Sequence, residues 1–232
     1  MESLSSRNVL EDIENISLPL KEGQGGARIK FTDCLHFLQN KGQQIYGQHF
    51  KLNAEDYEIL YKLLIYFAED EQQAQTWNIN LRKGILLTGP VGCGKTSLLT
   101  LYNYFFPTQK RYIIKTCRDI SFEFHKHGFE VVLDYSKKAF HNRKGELTPK
   151  TFCFDDLGVE NNLKHFGNEC NVMGEILLSR YEMYISNHAI THITTNLSST
   201  EIEELYGNRV RSRMREMFNL MSFSRDCADK RK

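Results

Sequence analysis

Residues 84–99 read GILLTGPVGCGKTSLL. A short apolar run ends at Gly89, two more glycines, a lysine and a threonine follow, and helical spacing then begins. The run Gly89-Pro90-Val91-Gly92-Cys93-Gly94-Lys95-Thr96 satisfies the spacing G-x-x-x-x-G-K-[ST] in full. Glycines at these places let successive backbone N–H groups turn inward around phosphate oxygens, at the positive end of the helix that follows. Lys95 would reach the β- and γ-phosphates of a nucleotide, Thr96 would place its hydroxyl on Mg²⁺, and Ser97 stands next in the same turn. The stretch predicts strand, phosphate-holding loop and helix, with ATP and Mg²⁺ as ligands.

Outward from this loop the pattern alternates. The short apolar segments GILLT, RYIIKTC, KTFCFDD, AITHITTN and FNLMSFS read as strands. Between them TSLLTLYNYFF, RDISFEFHKHG and CNVMGEILLSRYEMYISN read as helices. Strands alternating with helices predict an α/β domain with a largely parallel sheet, whose ligands bind beyond the carboxyl ends of the strands. Upstream, LNAEDYEILYKLLIYFAED reads as a helix: Asn53 is a candidate cap supported by Asp56, and Tyr57, Leu60, Tyr61, Leu64 and Ala68 recur at helical spacing. Residues 31–49 hold a shorter helical pattern, and the polar, glycine-interrupted residues 1–30 read as a weakly ordered arm. We therefore expect an extension over 1–49 and a catalytic core over 50–232.

Two further strand ends carry chemistry. TFCFDDLG, residues 151–158, ends a dense apolar run in two adjacent carboxylates. Asp155 is placed to hold Mg²⁺, and Asp156 to orient or deprotonate an attacking water. Many ATPases carry Glu at the second position, so the shorter Asp156 is compatible with slow turnover. AITHITTNLSS ends at Thr194, Thr195 and Asn196. Asn196 can donate to a γ-phosphate oxygen and accept from a water, although Asn and Ser also start turns readily. In LYGNRVRSRMRE, residues 205–216, four arginines alternate with other residues. Most would be a solvated face, but an arginine offered to a neighbour's γ-phosphate stabilises charge in phosphoryl transfer.

The 232 residues are 41% hydrophobic and 25% charged, with a formal net charge of +1, so overall charge selects no partner. Charge is uneven, with an acidic excess over 1–23 and a basic excess over 207–232. The six cysteines include no C-x-x-C pair, which argues against a zinc or redox motif and favours a reducing cytoplasmic setting. No signal peptide is evident, and no run approaches the ~20 apolar residues of a membrane span.

Together GPVGCGKT, FDDLG, ILLSRYE, ITTNLS and YGNRVRSRM resemble the AAA+ ATPases over residues 50–225, and within them the DnaC/DnaI-like helicase loaders and the IstB-like transposition ATPases. The resemblance implies a three-layer P-loop fold with a five-stranded parallel sheet of order 5-1-4-3-2. It implies no C-terminal helical lid, since the chain ends about where the sheet does. It matches the family's G-x-R-x-x-S/D-R-hydrophobic box to Gly207, Arg209, Ser212, Arg213 and Met214. Arg213 thereby takes the place of an arginine finger acting between head-to-tail subunits, and Arg209 a second interface position. A replicative helicase or a transposase is the implied protein partner. Single-stranded DNA is the family's usual ligand. Arg111, Lys115, Arg118 and Lys126, interleaved with Phe122, Phe124, His125 and His127, suit it by charge and stacking, while core phenylalanines under a solvated surface explain the same composition.

Three functions follow for this pattern. The first is Mg-dependent ATP hydrolysis coupled to remodelling or loading of a DNA-replication or transposition complex. The others are a nucleotide-gated adaptor with little turnover and a small-molecule kinase, which would have no use for a finger arginine.

Overall fold

The computed structural model describes residues 16–17, 28–105, 111–143, 145–160, 163–165 and 168–231. Most of the arm expected over 1–30 lies outside these residues. The chain forms two compact units, Met1–Leu81 with Ser97–Arg111, and Arg82–Thr96 with Tyr112–Lys232.

In the first unit β1 (Ile16–Ser17) pairs antiparallel with β2 (Arg28–Ile29). Helix α1 (Phe31–Tyr46) is longer than the short helix expected and buries Phe31, Cys34 and Leu38 along one stripe. A 3₁₀ turn, Ala54–Asp56, leads into α2 (Tyr57–Ala68). Asn53 stands at the start of that turn without a side-chain cap bond, and the α-helix begins three residues later than its cap signal placed it. Helix α2 is buried over most of its surface, leaving Glu58 exposed and Lys62 partly so, with Ile59, Leu63 and Ile65 inside as well as the expected Leu60, Tyr61 and Leu64. Such a helix is a core element. The Asp70 carboxylate accepts from the Gln73 N–H and starts α3 (Glu71–Thr76). Helix α4 (Lys95–Phe105) contributes Tyr102 to this unit, where its hydroxyl donates to the Leu60 carbonyl and Phe67 stacks on its ring.

The second unit is built on one sheet. Its strands are β3 (Gly84–Thr88), β4 (Ile113–Thr116), β7 (Phe152–Leu157), β10 (Thr191–Thr195) and β11 (Phe218–Ser222). They run parallel, in the spatial order β11-β3-β10-β7-β4. Counted among the sheet's own five strands, that is 5-1-4-3-2. Numbered along the chain it differs, because the expectation held five strands and the structure adds short pairs outside the sheet. Besides β1 and β2, these are the hairpins β5 (Phe140–Arg143) with β6 (Glu146–Pro149) and β8 (Leu163–His165) with β9 (Asn168–Cys170). Strands β7 and β10 are buried almost throughout, as parallel strands covered on both faces must be.

The helices of this unit have explicit start signals. Thr116 caps α5 (Cys117–His127), which is followed by the short α6 (Glu130–Asp134). Asn171 caps α7 (Val172–Asn187), and a Ser198–Glu201 capping box starts α8 (Ser199–Met217). Helix α8 is broken at Gly207, whose φ of 83° and ψ of 160° belong to glycine territory. Phe124, Phe154, Ile176, Ile193, Met214 and Phe218 form the core. Arg180 is also wholly buried, donating to Thr191 Oγ1 and to the Lys150 and Ile190 carbonyls, so it ties α7 to the beginnings of β7 and β10. No described helix is long and apolar enough to cross a membrane, and the six cysteines are free thiols, five of them buried.

Candidate functional site

Strand β3 delivers the chain to the loop Gly89–Gly94 at the carboxyl edge of the sheet, and α4 begins at Lys95. Lys95 is buried, and its ammonium donates to the Gly89 carbonyl at 2.8 Å, to the Pro90 carbonyl at 2.9 Å and to Asn196 Oδ1. Asn196 thus reaches Lys95 across 101 positions of chain, because β10 lies directly beside β3. Pro90, Val91 and Cys93 complete the loop, and Ser97 is the third residue of α4.

The acidic pair sits on a local irregularity. Ile193 pairs with Phe154, but Thr195 pairs with Leu157, so Thr194 of β10 faces two residues of β7, Asp155 and Asp156. This is a β-bulge, and it re-aims side chains that a regular strand would send to opposite faces. Asp156 takes a left-handed φ of 55° within it. The Thr194 hydroxyl donates to Asp155 Oδ1 at 2.6 Å and accepts the Asp156 N–H at 2.8 Å. Thr96 Oγ1 lies 2.9 and 3.1 Å from the two Asp155 oxygens. Thr195 closes the bulge by donating to the Leu157 carbonyl at 2.7 Å. Asp155 is buried, which pushes its carboxyl up, while the Thr194 and Thr96 hydroxyls pull it part of the way back. A buried carboxylate beside a hydroxyl is a hard-oxygen donor set, the type Mg²⁺ takes, and such an ion would stabilise the charged form that burial disfavours.

Lys95, Thr96, Asp155 and Asn196 therefore meet at one end of the sheet, with Asp156 beside them. Thr194 is the residue that sequence reasoning passed over as a strand end. Its signal was a hydroxyl two residues before the sensor position, meaningful only once the bulge is known. A cleft of about 680 Å³ adjoins the loop, lined by Pro90, Asn196 and Phe223 and by Arg211, Arg215 and Arg225.

Of the α8 arginines, Arg211 and Arg215 line this cleft, whereas Arg209 and Arg213 do not. Arg209 is exposed. Arg211 pairs with Glu203 at 2.7 Å. The Arg213 guanidinium lies 4.4 Å from the Tyr181 ring centre and donates to the Tyr181 hydroxyl and to Glu216, each at 3.2 Å. It is partly exposed and held by neighbours of its own chain. The Gly207 break sets the direction of this arginine-bearing half of the helix. The preceding half is tied down by Tyr206, which donates to the half-buried Glu160 carboxylate.

The segment read as a candidate DNA grip divides. Phe124 is fully buried core. Phe122 is 49% exposed with the Arg118 guanidinium 5.5 Å from its ring centre, and His125, Lys126 and His127 are exposed beside it. Lys115 is paired with Glu123 at 3.2 Å. Arg111 lies in the other unit, against the Tyr104 ring.

The chain matches no protein-family model and no curated protein. Its structure is similar to that of the DnaC helicase loader, with a TM-score of 0.50 at 19% identity over 75% of this chain and 93% of the other. A putative primosome component from Streptococcus pyogenes serotype M3 gives 0.51 at 18% identity, over 76% of this chain and 83% of the other. DnaI gives 0.50 at 21% identity, over 75% of this chain and 88% of the other. At these identities the likeness is one of fold.

Proposed function

We propose that the chain binds ATP with Mg²⁺ at the Gly89–Thr96 loop and hydrolyses it slowly, as a helicase-loader-like AAA+ protein of DNA replication. The observation that carries this reading is the bulge at Thr194. It sets Asp155 against Thr96 and a second carboxylate beside them, at the end of the sheet where Lys95 also meets Asn196. Loop N–H groups and Lys95 would hold the phosphates. Thr96 and Asp155 would hold Mg²⁺, which when bound neutralises charge on the phosphates. Asp156 would orient the attacking water and take its proton, and Asn196 would exchange its bond to Lys95 for one to the γ-phosphate.

Arg213, presented at the surface of α8, would complete the site of the next subunit in a head-to-tail assembly. The Arg118–Phe122 face with Lys126 is the part of the 111–127 segment suited to a single strand of DNA. A second reading, a nucleotide-gated adaptor with little turnover, is favoured by the carboxylate at position 156, one methylene shorter than glutamate.

The test is nucleotide titration with a paired hydrolysis assay. Lys95→Ala should lose ATP binding while keeping its fold, and Asp156→Asn should bind ATP but hydrolyse it on the order of a hundredfold more slowly. Unchanged affinity in the first variant would sink the phosphate-loop assignment. Wild-type protein that binds ATP without turnover selects the adaptor. Capture of partners with ATP and Mg²⁺ present then separates a replicative helicase from a transposase.

A further inference from the structure

A phosphate loop works only if its N–H groups face the anion, which requires its carbonyls to face away. Two consecutive loop carbonyls, those of Gly92 and Cys93, are taken here by one residue. The Lys230 N–H donates to the Gly92 carbonyl at 3.0 Å, and Lys230 Nζ donates to the Cys93 carbonyl, also at 3.0 Å. The same ammonium lies 5.1 Å from the Phe223 ring centre, and the Phe223 N–H is bonded to the carbonyl of Thr88 at 2.9 Å. The clamp is thus anchored to the strand that feeds the loop.

Its neighbours fit the same purpose. Asp229 packs on Gly92 so closely that a Cβ there would lie 2.1 Å from Asp229 Oδ1. A bare carboxylate in that place would repel phosphate. Arg231 offsets it, donating from its backbone N–H and Nε to Oδ1 and from its other guanidinium nitrogen to Oδ2, each at 3.0 Å.

We infer that Lys230 is a positioning residue of the nucleotide site, holding the Gly92 and Cys93 carbonyls outward so that the loop's N–H groups stay aimed at phosphate. The inference rests on the nucleotide-binding reading above. Acting through the loop, Lys230 serves ADP and ATP alike, whereas a lysine touching the γ-phosphate would serve ATP alone.

The experiment measures ADP and ATP affinity in wild type, Lys230→Met and Lys230→Arg, with the unfolding midpoint of nucleotide-free protein alongside. Lys230→Met keeps a stem over Phe223 and the backbone bond to Gly92, and removes the side-chain donor to Cys93. It should weaken both nucleotides roughly tenfold, about 1.4 kcal/mol, at an unchanged nucleotide-free midpoint, and Lys230→Arg should restore most of the loss. Lys230→Ala is the second variant should the first not fold, with the same expected pattern. Loss for ATP alone, no loss, or tighter binding each overturns the inference, the last by making the segment a competitor of nucleotide. Wild-type protein that binds neither nucleotide overturns the site itself, and Lys230 with it.

Discussion

Thr194 shows how one hydroxyl can set two carboxylates. It donates to Asp155 and accepts from the backbone of Asp156, so its loss would release both. Thr194→Val keeps the shape of a fully buried side chain and removes both bonds. An unmet buried hydrogen-bonding group costs about 1–3 kcal/mol. The variant should be less stable by that order, still bind ATP, and hydrolyse it several-fold more slowly, read by denaturant unfolding and a phosphate-release assay. An unaltered rate would remove Thr194 from the site's geometry. His192 gives a separate residue-scale test. Burial, aided by the nearby Arg180 charge, holds its pKa down to about 3, with the Tyr112 ring 4.9 Å away. An unfolded histidine titrates near 6.5, so below about pH 6.5 the unfolded chain takes up a proton that the folded chain refuses. This site then destabilises the fold increasingly as pH falls toward 3 and contributes nothing above about 6.5. His192 Nδ1 accepts the Ile85 N–H at 3.2 Å, a bond that the side-chain oxygen of His192→Asn can mimic. The wild-type unfolding midpoint should drop more steeply than the variant's between pH 7 and pH 5, and parallel curves would exclude His192 as the source.

Helix α8 carries its information in a break. Ala at position 207 would meet nothing within 4 Å, so the whole cost of Gly207→Ala is conformational, about 1–3 kcal/mol. The variant must either bear that strain or straighten the helix and redirect Arg209 and Arg213. ATP binding should survive while hydrolysis falls, and a variant with wild-type stability and rate would show that the break has no role. The spacing of the box containing Gly207 was legible in the sequence. The break was not, since an isolated glycine in a helical pattern is also tolerated without bending it. The same division holds elsewhere. The five sheet strands and the phosphate loop were readable because apolar runs and glycine spacing are local signals. The bulge between β7 and β10 and the Lys230 clamp were not, because each depends on register between segments far apart in sequence. On α5, alternation of basic and aromatic residues could not tell Phe124, which is core, from Phe122, which faces out beside Arg118. If that face grips single-stranded DNA, changing Lys115, Arg118 and Lys126 together to Ala should weaken binding, and wild-type affinity should fall steeply with salt. Since Lys115 is engaged by Glu123, Arg118 and Lys126 should account for most of the loss. Absence of binding at low salt with ATP present would leave protein as the partner class.

At the scale of the whole molecule the question is whether an arginine of a second copy completes the proposed site. Lys95, Thr96, Asp155, Asp156 and Asn196 come together within one unit, yet Arg213 spends its hydrogen bonds on Tyr181 and Glu216. Glu216 is exposed and Tyr181 half-buried, and the Tyr181 ring lies under the guanidinium while leaving it partly exposed. An arginine held in this way is suited to meet a phosphate that arrives on another copy. On the proposed reading Arg213→Ala should bind ATP nearly as well as wild type and hydrolyse it poorly. Lys95→Ala should bind no ATP but still carry an intact Arg213. Mixing the two inactive proteins should restore part of the activity, because the second lends its arginine to the first. An arginine acting within its own chain predicts no rescue at any ratio. Specific activity should also rise with wild-type concentration as subunits assemble. Constant specific activity together with no rescue would remove the head-to-tail assembly and leave the adaptor, in which nucleotide alters one chain's surface without a neighbour.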